Sequence, residues 1–149
     1  MTKLLVLGGG PAGYVAAGRA AQLGAEVTLV EAREVGGTCL NRGCVPTKAM
    51  VAGAQRLHAA REAGAFGVLT GPVSVDFPAF MARKDAVTAQ LREGVAHLLK
   101  ARHVEVVAGR AALAGPGRLS LAPGARLPDG TVLDEAGELT ADARSKSVV

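Results

Sequence analysis

Two cysteines five positions apart, Cys39 and Cys44, are the only thiols of the chain, and both fall in the stretch Gly36 to Lys48, GGTCLNRGCVPTK. A disulfide between them would close a very small loop and restrict the unfolded chain little, so its use is chemical rather than structural. Pro46 suits the first turn of a helix running to about Ala63, which sets Cys44 at the helix N-terminus. The partial positive charge there favours a thiolate. Lys48, four residues on, shares that helix face one turn later, where its cation can stabilise negative charge. The plainer alternative makes both thiols small core residues and Lys48 a solvated lysine. A metal centre has little support, because His58, His97 and His103 lack short ligand spacing to the pair; we expect no metal.

The elements that must carry these residues begin upstream. Lys3 to Leu7 is an apolar run of the kind that forms a buried parallel strand, and it ends on glycine. Gly8, Gly10 and Gly13 then spell G-x-G-x-x-G. Pro11 and Ala12 open a helix that Gly24 stops, and Ala25 to Val30 makes a second strand ending at Glu31. Strand, glycine turn, helix, strand and acidic residue is the dinucleotide-binding order. Gly8 allows the turn, Gly10 lets main chain approach a pyrophosphate, and Gly13 lets helix and strand pack closely. The helix start offers its N–H groups to phosphate, and Glu31 can accept from ribose hydroxyls. Such glycines can also be purely structural, and the motif alone does not choose between NAD and FAD.

Combined with this fingerprint, the stretch GGTCLNRGCVPTK resembles the active-site signature of the flavoprotein disulfide reductases. Leu40, Asn41 and Arg42 between the cysteines look most like the dihydrolipoyl dehydrogenase branch; glutathione and mercuric reductases, the alternative branches, usually carry Val at the position of Leu40. The resemblance implies an α/β, Rossmann-like FAD-binding domain with a parallel sheet, flanking helices and a small antiparallel hairpin region. It implies FAD held by Gly8, Gly10, Pro11, Ala12, Gly13, Glu31, Gly37, Thr38, Cys39, Lys48 and Ala111. Cys39 would exchange with dihydrolipoamide through a mixed disulfide, Cys44 would face the flavin with Lys48 nearby, and NAD would be the co-substrate. It further implies a lipoyl-bearing protein of a 2-oxo acid dehydrogenase complex as partner and a homodimer at full length.

Downstream, Gly36, Gly37 and Thr38 read as a flexible loop before Cys39, and Gly64 to Pro72 as a turn-rich connection. Phe77 to Arg102 reads as a long helix, with Phe80, Val87, Leu91, Val95 and Leu98 as its apolar stripe and Arg83, Lys84, Asp85, Arg92 and Glu93 as its wet face. Val104 to Ala108 reads as a third parallel strand. After it comes the Gly109-Arg110-Ala111 turn, then Gly- and Pro-punctuated hairpins, and Ser147 to Val149 as the opening of another strand.

At 149 residues the chain is expected to form one domain. We expect residues 1–149 to be an FAD-binding domain incomplete at its C-terminus, with the NAD-binding and dimerisation domains absent and no proton-transfer base in the chain. Such a piece alone is expected to be inactive, marginally stable and prone to associate; as it stands, a non-catalytic nucleotide-binding fragment is the rival reading. A third reading is an NAD-binding dehydrogenase with incidental cysteines. The formal charge is +4, but the basic residues are scattered and only four aromatics are present, so no nucleic-acid face is expected. No apolar run reaches the length of a membrane span, and the start lacks a signal-peptide pattern; a cytoplasmic protein is expected.

Overall fold

A computed structural model describes residues 2–140. Strand β1 (Lys3–Leu7), helix α1 (Pro11–Gln22) and strand β2 (Glu26–Glu31) form the expected βαβ unit. The strands run parallel, in register from Lys3 opposite Glu26 to Leu7 opposite Val30. Strand β3 (Glu105–Ala108) adds to the far side of β2, so the sheet order is β1-β2-β3 with β2 central. Strands of this kind are apolar on both faces because both faces are covered.

One face packs under helices: Val6, Val27 and Leu29 meet Ala17 of α1, Leu99 and Val104. The other face, through Leu5, Val30 and Val107, meets Leu119, Leu121 and Ala125 from a second sheet. That sheet is antiparallel and contains β4 (Ala111–Gly115), β5 (Arg118–Leu121) and β6 (Gly137–Thr140) in that order. The result is three layers: helices, parallel sheet, antiparallel sheet. The expected α/β class, with its hairpin region, is what the chain adopts.

Between β2 and β3 lie three helices: α2 (Gly37–Arg42), α3 (Cys44–Glu62) and α4 (Phe77–Ala101), with a single 3-10 turn, Ala63–Phe66, after α3. Asp76 caps α4, its carboxylate accepting from the Ala79 N–H at 2.9 Å. Helices α3 and α4 pack closely at Gly53, where any Cβ would collide with the Phe80 ring.

Three expectations need correction. Gly36 to Thr38 is not a flexible loop: Gly36, at φ 97°, makes a left-handed turn, and Gly37 and Thr38 already belong to α2. The core-facing stripe of α4 is also shifted. Thr88 and Leu99 are its buried residues, with Val95 packed alongside, whereas Leu91 and Leu98 are exposed. Residues 88, 95 and 99 share a face at spacings of seven and four, and the elements packed on α4, helices for the most part, bury that face rather than the one that carries Leu91 and Leu98. Finally, Lys84 and Arg92 are half-buried rather than on the wet face. The strand expected at Ser147 to Val149 lies outside the described residues.

Candidate functional site

The carboxyl ends of β1, β2 and β3 are where an open α/β sheet receives ligands, and the chemistry-bearing residues gather there. Gly8 follows β1 with φ 102°, a conformation that only glycine adopts without strain, and its N–H donates to the Val30 carbonyl at 2.8 Å. Gly13 has no room for a side chain, because a Cβ would collide with the Gly8 carbonyl oxygen. Gly10 is different. A Cβ there would meet nothing nearer than the Gly37 Cα, 4.0 Å away, so the space over this turn is open. Gly10 is also the N-cap of α1 and offers no side-chain acceptor, leaving the first N–H groups of the helix for an external one.

Glu31 is tied to this turn. Its Oε2 accepts from the Gly9 N–H at 2.7 Å and its Oε1 from the Arg33 N–H at 2.8 Å. Beside it a cleft of about 390 Å³ opens among Glu31, Arg33, Val35, Arg92, Ala96 and Ala108. Of these only Glu31 was foreseen. Ala108 could have been found from its place at the end of β3, by the strand-end rule. Arg92 carried no such signal, because its approach depends on how α4 lies across the sheet. Ala111 does not line the cleft; it opens β4 and packs against the core between the sheets.

The segment that leads into the cysteines sits directly on the glycine turn. The Gly36 N–H donates to the Gly9 carbonyl at 2.7 Å, and Gly37, at φ 60°, lies so close to Gly10 that a Cβ on it would stand 2.7 Å from the Gly10 Cα. Cys39 then falls on α2, half-buried, and Cys44 is the first residue of α3, exposed; both are thiols. Gly43 joins the two helices, with no side-chain cap on α3.

The Cys39 thiol is held above its ordinary value, chiefly by its hydrogen bond to Cys44, then by burial and by negative charge on Cys44. The Lys48 cation acts on Cys39 weakly in the opposite direction.

Asn41, between the cysteines, was noted in the sequence only as a mark of resemblance. Its Nδ2 donates to the carbonyls of Val35 and Gly37 at 3.0 Å each and to that of Glu34 at 3.4 Å. Arg42 adds an ion pair to Glu34 at 2.7 Å. Among the described residues no cluster of His, Cys, Asp and Glu could hold a metal ion, and no helix is long and apolar enough to cross a membrane.

The family model for the pyridine nucleotide-disulphide oxidoreductases matches residues 2–142. The chain belongs to this family. Among relatives, a dihydrolipoyl dehydrogenase of Bacillus subtilis is 46% identical over 121 residues, 81% of this chain and 26% of that protein. Dihydrolipoyl dehydrogenase 2 of Haloarcula marismortui is 46% identical over 123 residues, 83% of this chain and 26% of that protein. The crystal structure of LpdA from Mycobacterium tuberculosis superposes with a TM-score of 0.75 at 28% identity, covering 95% of this chain and 30% of that one. The chain thus spans about a quarter of the length of the curated relatives it matches. Membership accounts for a nucleotide turn and a cysteine-bearing helix packed against it in one chain.

Proposed function

We propose that residues 1–149 are the FAD-binding, redox-disulfide portion of a dihydrolipoyl dehydrogenase. The observation that carries this reading is the packing of Gly37 on Gly10, which seats the cysteine-bearing helix on the nucleotide turn. The residues present fit the cofactor. The turn is open over Gly10, the first N–H groups of α1 at Ala12 and Gly13 have no side-chain cap, and the Glu31 carboxylate stands beside the cleft. Gly8, Gly10, Pro11, Ala12 and Gly13 would hold the pyrophosphate, Glu31 the ribose, Ala111 the adenine through main chain, and Gly37, Thr38, Cys39 and Lys48 the flavin end.

When bound, FAD supplies the two-electron acceptor between a dithiol substrate and NAD. The chain's own part is to hold the pair. Dihydrolipoamide attacks the Cys39 sulfur of the disulfide as a thiolate, forming a mixed disulfide and releasing Cys44 as a thiolate. The second substrate thiol then displaces Cys39 and closes lipoamide, leaving both cysteines reduced. Cys44 has its exposed face free for the cofactor, and Lys48 holds negative charge near the pair. In the whole enzyme the partner is a lipoyl-bearing protein of a 2-oxo acid dehydrogenase complex, and the assembly is a homodimer.

The test uses the purified chain. Equilibrium dialysis is expected to give about one FAD per chain, with ADP competing. Dihydrolipoamide is expected to raise the thiol count of the oxidised chain from zero to two, but not in Cys39→Ser. NAD binding without flavin binding would overturn the cofactor assignment, and reduction by glutathione but not by dihydrolipoamide would move the chain to another branch.

A further inference from the structure

Helix α2, on which Cys39 lies, is only six residues long, and an isolated helix of that length does not hold itself together in water. Its position relative to Cys44 is therefore set by tertiary ties. Asn41 supplies several of them: its amide spans three carbonyls, those of Glu34, Val35 and Gly37. Its Oδ1 faces Arg92 of α4, with Nη1 donating at 3.5 Å. Asn41 is half-buried and stands two residues after Cys39 and three before Cys44. Its bonds join three things: the segment after β2 that lines the cleft, the start of α2, and α4 through Arg92, which also lines the cleft.

We propose that Asn41 is a positioning residue that fixes Cys39 against Cys44 and thereby sets the dithiol–disulfide equilibrium of the pair. Asn41 touches neither sulfur in a chemical step. It acts by restricting α2, so that closing the disulfide requires little further ordering of the chain. The inference rests on the reading of the cysteines as a redox pair.

The experiment equilibrates the whole chain with oxidised and reduced glutathione. Oxidised glutathione takes the two electrons and two protons of the cysteine thiols, yielding one protein disulfide and two glutathione thiols. Rapid alkylation under native conditions counts the thiols, and thermal melting is recorded alongside. Relative to the unsubstituted chain, Asn41→Ala and Asn41→Asp are expected to lower the equilibrium constant for disulfide formation about tenfold, equivalent to about 30 mV. Asn41→Asp retains an acceptor for Arg92 but loses the donor to the three carbonyls. Arg92→Met keeps that donor and is expected to give a smaller fall, about two- to threefold, since one hydrogen bond is lost.

A purely structural role would lower the melting temperature and leave the redox constant of the folded protein unchanged. An unchanged constant in a folded Asn41 variant overturns the inference; if neither Asn41 variant folds, an unchanged constant in Arg92→Met does so. Failure of the unsubstituted chain to form the disulfide would instead overturn the redox reading itself.

Discussion

Gly37 rests on Gly10 at a distance that admits no Cβ from one direction and admits one from the other. A Cβ on Gly37 would lie 2.7 Å from the Gly10 Cα, whereas a Cβ on Gly10 would meet Gly37 only at 4.0 Å. The same contact therefore separates a residue needed for the fold from one needed for the ligand. Gly37→Ala adds a backbone clash to a left-handed φ of 60° and is expected to destabilise the chain by about 2–4 kcal/mol, read as a lower urea midpoint. Gly10, at φ −71° and ψ −177°, is extended backbone that any residue adopts. Gly10→Ala is expected to melt within a few degrees of the unsubstituted chain while losing at least tenfold in FAD affinity by dialysis. Equal flavin binding in Gly10→Ala would contradict this assignment.

Glu31 holds the turn from the other side. Glu31→Ala leaves the buried Gly9 N–H without its acceptor and is expected to cost about 1–3 kcal/mol, while Glu31→Gln keeps one acceptor oxygen and costs less. Chemical denaturation of the two variants checks the order.

The thiol pair predicts a pH effect of definite sign. Because the hydrogen bond to Cys44 is the main cause of the raised Cys39 value, removing Cys44 removes that restraint. Cys44→Ala is expected to shift the pH profile of Cys39 alkylation by iodoacetamide to lower pH, and Lys48→Met to shift it to higher pH. Mass spectrometry of the Cys39 peptide reads both.

At the acidic end, Glu34 is held below its ordinary value of 4.5, first by its hydrogen bond to Arg42. A carboxylate depressed in the folded state contributes stability above its unfolded value, and that contribution is lost as pH falls through the folded one. Both partners are more than a third exposed, so the effect is screened and small. Melting curves below pH 4.5 are expected to lose less stability in Arg42→Met than in the unsubstituted chain, and high salt is expected to narrow the difference.

Much of this protein was legible from residue type and spacing. Lys3 to Leu7 and the run ending at Glu31 announced parallel strands because both of their faces are apolar. The helix after Cys44 was visible in Pro46, and the long helix from Phe77 in its apolar spacing. Gly8 and Gly13 were readable because a strand-to-helix turn of this kind leaves no choice of residue there: one needs a left-handed φ, and the other lies against a carbonyl oxygen.

Local pattern failed where a residue's role depends on a distant partner. Gly36 to Thr38 looked flexible from composition, yet Asn41 and the Gly9 carbonyl gather these residues into a turn and a helix start. Leu91 and Leu98 looked like core from hydrophobicity, but the neighbouring helices and β3 pack on the adjacent face of α4. Arg92 looked like solvated surface and instead lies between the cleft and Asn41. The sequence by itself determined which groups were available: two thiols, a lysine one turn on, a glycine turn and a carboxylate. Only the tertiary structure decided that helix α2, which carries Cys39, stands on the nucleotide turn, because that contact joins two backbones at Gly10 and Gly37, where neither residue has a side chain to announce it.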